Sequence, residues 1–223
     1  MTKMIIYKEW LKTRWLLLGI AVVLAGFSFY CFLNLSKVVE FRGGGILWGT
    51  LVAKDTVLLE ILRYLPPVAG AVLALAQFLP EIQQKRLKLT LHLPYPQGRM
   101  ILLIAAYGLV CLTTLFALQA TVSALVLKKW IVAELVSRIT VTTLVWYLAG
   151  WAAYLFTASI CLEPAWGMRV VILLLMAGLL RIMYLSQVPE AYNGFLPWLI
   201  IYVLCSAVLL FHGTARFKEG LHA

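Results

Sequence analysis

Apolar runs of membrane-spanning length punctuate the chain at residues 16–35, 62–79, 100–127, 139–161, 168–184 and 195–211. A helix crossing a hydrocarbon core of about 30 Å needs roughly 17 to 25 such residues, and every run meets that requirement. The pattern therefore predicts an all-α integral membrane protein of six transmembrane helices, with residues 1–223 forming a single transmembrane domain. Residues 4–14 follow a different rhythm. At about 100° per residue, Met4, Ile6, Tyr7, Trp10, Leu11 and Trp15 gather on one face, and Lys8, Glu9, Lys12 and Thr13 gather on the other. That predicts an amphipathic interfacial helix, anchored by Lys8, Trp10 and Lys12, which lies along the membrane and feeds the first span. A signal peptide fits less well, because 16–35 exceeds the usual apolar region of about 7 to 15 residues and lacks a small-residue cleavage site.

The segment between the second and third runs, residues 81–99 (EIQQKRLKLTLHLPYPQGR), cannot sit in lipid and is nevertheless rich in leucine. Leu87, Leu89, Leu91 and Leu93 alternate with Arg86, Lys88, Thr90 and His92, and Leu93-Pro94-Tyr95-Pro96 then stops any regular element. Strict alternation fits a strand, a short leucine-rich segment also fits a helix, and periodicity leaves both open. Either way the leucines need cover, from the bilayer surface or from a protein docked on it. Elsewhere, Gly43-Gly44-Gly45 reads as a linker, with a surface helix after it leading into the second span. Pro66-Pro67 is expected to kink that span near its outer end, since proline lacks the amide hydrogen a helix uses. Gly70, Ala74, Ala149 and Ala153 suit close helix contacts.

Composition agrees with the periodicity. Hydrophobic residues make up 63% of the chain, against about 45 to 50% in soluble domains, and mean hydropathy is +0.95. The net charge of +10 is spread between apolar runs with no basic domain, so it reads as topology and interface anchoring, with no nucleic-acid partner. With the N-terminus inside, the inner segments hold eleven of the nineteen Lys and Arg and the outer ones eight. Six spans then place both termini in the cytoplasm. The short connections at 128–138 and 187–196 fall outside, and the turn at 162–167 falls inside.

Candidate chemistry is sparse. His92, His212 and His222 are the only histidines, no two acidic residues share a span, and there is neither a metalloprotease nor a nucleophile-elbow motif. Gly43-Gly44-Gly45 is followed by no Gly-Lys-Ser/Thr, so this chain carries no phosphate loop of its own. Cys31, Cys111, Cys161 and Cys205 fall in different runs without a paired spacing, which reads as small buried side chains with no metal. Serine, threonine, asparagine and glutamine within the spans read as bonds between helices. Gln77 and Arg181 are candidates for a substrate path, although Arg181 lies near a span end from which it can snorkel to the headgroups.

The interfacial helix, the six spans and the leucine-rich segment ending in Leu93-Pro94, followed by the turn Gln97-Gly98-Arg99, together resemble the ABC-2 family of ATP-binding-cassette permease subunits. Lys85, Arg86 and Lys88 stand where that family commonly has Gly, Thr and Glu. The resemblance implies that 81–99 is a coupling segment docking on a separate ATPase. Lys85, Arg86, Lys88, Leu89, Leu91, Leu93 and Pro94 would form the contact, and the substituted lysines would face a more acidic groove. It implies a partnership of two ATPase subunits, which hold the ATP and Mg, with two permeases, either identical or sister chains. The permease is then no enzyme by itself, and the direction is export. A mostly apolar path favours a hydrophobic or amphipathic cargo. A non-transporting membrane scaffold that recruits a cytoplasmic protein is the alternative. The topology gives a direct expectation. With the native cysteines replaced, a cysteine at Thr90 or Lys218 should stay unreachable to an impermeant thiol reagent applied outside intact cells, and labelling at either would overturn it.

Overall fold

The computed structural model describes residues 2–42, 60–83, 97–186 and 188–218, which are helices and short turns with no strand among them. The leucine-rich stretch 84–96 and the glycine-rich stretch 43–59 lie outside the described residues. The helices are α1 (Thr2–Arg42), α2 (Leu65–Gln83, entered through a 3-10 turn at Glu60–Tyr64), α3 (Gln97–Leu127), α4 (Ala133–Leu162), α5 (Trp166–Met183) and α6 (Leu196–Lys218). All six apolar runs are helical. α1 to α5 each contain a stretch long and apolar enough to cross a membrane, and α6 contributes a shorter one at Leu196–Leu210. These apolar helices make the chain a membrane-embedded protein.

Residues 4–14 do not form a separate helix. α1 is continuous over 41 residues, about 60 Å at 1.5 Å per residue, twice the hydrocarbon thickness. Its two faces are partitioned as the periodicity predicts, but the polar one turns into the protein. Glu9 and Thr13 are fully buried, while Met4 is 78% exposed and Trp15 72% exposed.

α4 is the axis of the bundle. In its apolar stretch 72% of residues are buried inside the protein, against 11% for α5, so α5 turns nearly all its surface outward. α2, α3, α5 and α6 each pack on α4, and α1 closes the bundle against α3 and α2. The tightest approach is between α2 and α4. A Cβ on Gly70 would overlap the carbonyl of Gly150, and one on Gly150 would come within 2.9 Å of both the Phe116 ring and the Pro66 carbonyl. Backbones meet here because neither residue has a side chain. Ala74 and Ala149, both 0% exposed, extend the seam. From Gly70 the buried face of α2 runs through Leu73, Ala74, Gln77, Phe78 and Glu81, the i, i+3, i+4, i+7 spacing of one helical stripe.

Two sequence expectations change. Pro66 and Pro67 sit in the first turn of α2, where helical amides have no partner in any case, so they start the α-helix after the 3-10 turn and do not kink it. The internal proline is Pro80. In addition, most span hydroxyls do not bond between helices. Thr140, Thr142 and Ser159 each donate at 2.8 to 2.9 Å to the carbonyl four residues back in their own helix, and Thr114, Thr121, Thr143 and Ser206 donate three residues back, whereas Ser28 donates back to Leu24 and also accepts from Gln119 across α1 and α3. A hydroxyl in an apolar setting finds its nearest acceptor in the preceding turn.

The α2–α4 seam generates a contrast. Gly70→Leu should destabilise the detergent-solubilised protein by at least about 2 kcal/mol through overpacking. Gly178→Leu on α5, where a Cβ meets nothing within 4 Å, should be near neutral. Thermal unfolding of the two variants checks this.

Candidate functional site: a buried charge cluster at the root of the 84–96 segment

The stripe on α2 that begins at Gly70 ends at Glu81, and there it meets the polar face of α1. Lys8 Nζ lies 2.8 Å from Glu81 Oε1. Lys12 Nζ lies 3.3 Å from the same oxygen and 3.6 Å from Glu9 Oε1. Lys12 also donates to the main-chain carbonyl of Gln77. Gln77 is the hub. Its amide donates to Glu9 Oε2 at 3.3 Å, and its carbonyl oxygen accepts from the Tyr154 hydroxyl at 2.7 Å. Thr13 donates to the Glu9 carbonyl at 2.8 Å and lies 3.1 Å from the Tyr107 hydroxyl. Residues from α1, α2, α3 and α4 thus converge.

Burial is nearly complete on the carboxylate side. Glu9, Gln77 and Tyr154 are 0% exposed and Glu81 is 2% exposed, with side-chain exposures of 18% for Lys12 and 40% for Lys8. The two lysines and two glutamates balance in formal charge, which is what permits carboxylates at such depth. An unpaired ion there would cost several kcal/mol. Gly108 makes the hub possible, because a Cβ at that position would strike both the Tyr154 hydroxyl and Gln77 Oε1. Among the described residues, no group of three His, Cys, Asp or Glu is placed to hold a metal. The cluster can bind helices to one another and carry load between them. It also sits directly before Gln83, where α2 gives way to residues 84–96.

The opposite end of α2 is closed differently. Arg63, 5% exposed, donates through Nη2 to the Tyr184 carbonyl at 2.6 Å, and the Tyr184 hydroxyl returns a bond to the Arg63 carbonyl at 2.8 Å. The guanidinium also stacks over Tyr184 and Tyr64, at 4.9 and 5.5 Å from the ring centroids.

Of the residues singled out from sequence, Lys8 and Lys12 turn inward to Glu81, while Trp10 is 49% exposed on the outward face. Gln77 is the buried hub. Arg181 is exposed, in the last turn of α5. It lies three residues before Tyr184, which bonds to Arg63, whereas Gln77 belongs to the cluster at the Glu81 end of α2, so the structure does not bring the two substrate-path candidates together. Lys85, Arg86, Lys88, Leu89, Leu91, Leu93 and Pro94 lie outside the described residues. Sequence reasoning passed over Glu9, Thr13, Tyr107, Tyr154 and Arg63. The available signal was the Lys8-Glu9-Lys12-Thr13 face itself, a charged stripe continuing without a break into an apolar helix.

Comparison with protein-family models, curated proteins and solved structures finds no match.

Distance and burial rank the two lysines differently, and burial should decide. Lys12→Met leaves Glu9 facing only the Gln77 amide and should cost about 3 kcal/mol. Lys8→Met removes the shorter but half-exposed pair and should cost at most about 1 kcal/mol. Chemical denaturation in detergent micelles measures both, and equal losses would contradict the ranking.

Proposed function

We propose that the chain is the membrane-spanning permease subunit of an ATP-binding-cassette transporter of the ABC-2 type, working with two separate ATPase subunits that hold the ATP and Mg and with a second permease, a copy or a sister chain. In this reading six helices span a bacterial inner membrane with both termini in the cytoplasm. The N-terminal turns of α1 lie at the membrane interface, where the outward Tyr7, Trp10 and Trp15 occupy the aromatic belt. Transport is outward, and the cargo is hydrophobic or amphipathic.

The observation that carries the reading is the anchoring of Glu81. A coupling segment is useful only if a push on it moves the spanning helices, and here the residue that begins the 81–99 stretch is clamped by Lys8 and Lys12. Through Gln77 it is joined to Tyr154 on α4, the central helix. Movement of 84–96 by an ATPase would reach α1, α2, α3 and α4 at one point. The leucine alternation and Leu93-Pro94 supply the docking chemistry, and Lys85, Arg86 and Lys88 supply charge for an acidic groove.

The test is co-purification of the ATPase with permease variants that insert and express equally. Leu91→Asp should abolish recovery, because it places a charge in a desolvated contact, whereas Lys88→Ala at the rim should cost about 0 to 1 kcal/mol and leave recovery nearly intact. Unchanged recovery with Leu91→Asp would end the coupling assignment. An ATPase that binds without any ATP-dependent movement of lipid or peptide across proteoliposomes would favour the scaffold.

A further inference from the structure

The two carboxylates of the buried cluster are held unequally. Glu81 Oε1 takes Lys8 at 2.8 Å and Lys12 at 3.3 Å. Glu9, which is fully buried, has a 3.3 Å bond from the Gln77 amide on Oε2, and on Oε1 it has Lys12 no closer than 3.6 Å and no hydrogen-bond partner among the described residues. A buried anion so loosely satisfied is the one of the pair that gains by becoming neutral. The charged and titratable groups facing it are Lys8 and Lys12 on α1, Glu81 on α2, Tyr107 on α3 and Tyr154 on α4. The lysines stay charged and the tyrosines neutral through the acid range, so a proton added there goes to a carboxylate.

The group next to Glu9 can face either way. A carboxamide carries a donor and an acceptor of nearly equal size, so reversing it end for end needs no added volume, and the missing side chain of Gly108 leaves space at its oxygen end. Its present orientation is the one an ionised Glu9 requires. The amide nitrogen donates to Glu9 Oε2 and, at 3.5 Å, to the Ile104 carbonyl, and the oxygen accepts from Tyr154 at 2.7 Å. Tyr154 has a second acceptor within reach, the Ala105 carbonyl at 3.4 Å. We propose that Glu9 and Gln77 form a proton-operated switch, in which Glu9 takes up a proton at Oε2, the Gln77 amide reverses, and the hub re-forms with its hydrogen bonds running the opposite way. Protonated Glu9 then donates to Gln77 Oε1, the Gln77 amide donates to the Tyr154 hydroxyl, and that hydroxyl donates to the Ala105 carbonyl. Only the long bond to Ile104 is surrendered. The proton enters from the aqueous side, where the side chains of Lys8 and Lys12 are 40% and 18% exposed. The cluster passes from balanced charge to one excess positive charge, and both lysines are left on Glu81 alone. The junction of α1, α2, α3 and α4 thus has two bonded states selected by pH, and the inference does not depend on the transporter reading.

The test uses the full-length chain in liposomes, with nitrogen-15 in the glutamine side chains and carbon-13 in the glutamate carboxyl and tyrosine Cζ positions. Dipolar couplings are read by solid-state NMR as the pH is lowered from about 8 to about 4, a range that spans the titration of carboxylates. Among the described residues Gln77 is the glutamine bonded to both a glutamate and a tyrosine, so its Nε2 reports directly. At high pH its stronger coupling should be to the Glu9 carboxyl carbon. After acidification the stronger coupling should be to Tyr154 Cζ, in step with the protonation shift of that same carboxyl carbon. Glu9→Gln keeps the shape but takes up no proton, so it should lose the pH dependence of the coupling. A Glu9 carbon that shifts while the coupling stays put would overturn the proposal, because Glu9 would then titrate without a switch. A Glu9 that stays ionised down to about pH 4, or a reversal that persists in Glu9→Gln, would overturn it as well. If that variant fails to fold, the wild-type spectra still decide, since carboxyl shift and coupling are read in one sample.

Discussion

Two glycines set the geometry on which everything else depends. Within a bilayer, apolar side chains gain little by leaving lipid for one another, so helices associate through close van der Waals packing. That packing is tightest where Gly70 of α2 meets the backbone of Gly150 on α4. Once the backbones are fixed at this point, positions one and two turns further along come into register without additional design. Tyr154 follows Gly150 by four residues and Gln77 follows Gly70 by seven, so their side chains face each other at 2.7 Å. Gly108 on α3 leaves the space in which that bond forms. The same stripe of α2 then delivers Glu81 to the lysines of α1.

A second constraint explains why α1 is oriented with its polar side inward. Hydrocarbon offers no partner to a charge or an amide, so polar groups at membrane depth face protein. Lys8, Glu9, Lys12 and Thr13 find their partners on α2 and α3, and Met4, Tyr7, Trp10 and Trp15 are left outward. The result is a membrane-adapted inversion of the amphipathic rule for soluble helices. Hydroxyls solve the same problem more cheaply by bonding back into their own helix. Of the two glutamines in the spans, Gln77 saturates itself across three helices, while Gln119 ties α3 to Ser28 on α1 through its amide.

The ends of α2 are secured by different means, and the difference fits different tasks. At the Arg63 end, one guanidinium is held by a carbonyl and two rings, a self-contained latch between the 3-10 turn that enters α2 and the residue that caps α5. At the Glu81 end, four balanced charges and a glutamine tie α1, α2, α3 and α4 beside the point where the chain enters the basic 84–96 segment. In the proposed function, displacement of that segment acts on a rigid junction instead of a loose helix end.

The sequence by itself determined the class of the molecule and the position of every apolar helix, because the length and hydropathy of a run are local properties that a bilayer reads directly. It also determined the two faces of residues 4–14, since helical periodicity assigns faces wherever the helix lies. It picked out Gly70, Ala74, Ala149 and Ala153 as contact residues, but it took Gln77 for a substrate-path residue where the structure has a buried hub between helices. Which way the polar face of α1 points, and that Gln77, Glu9 and Glu81 belong to one cluster, were decided only by tertiary structure. The α1 members of the cluster stand sixty-five or more positions from their α2 partners, and nothing in a local window registers a bond between helices that meet only after the bundle has closed around Gly70 and Gly150.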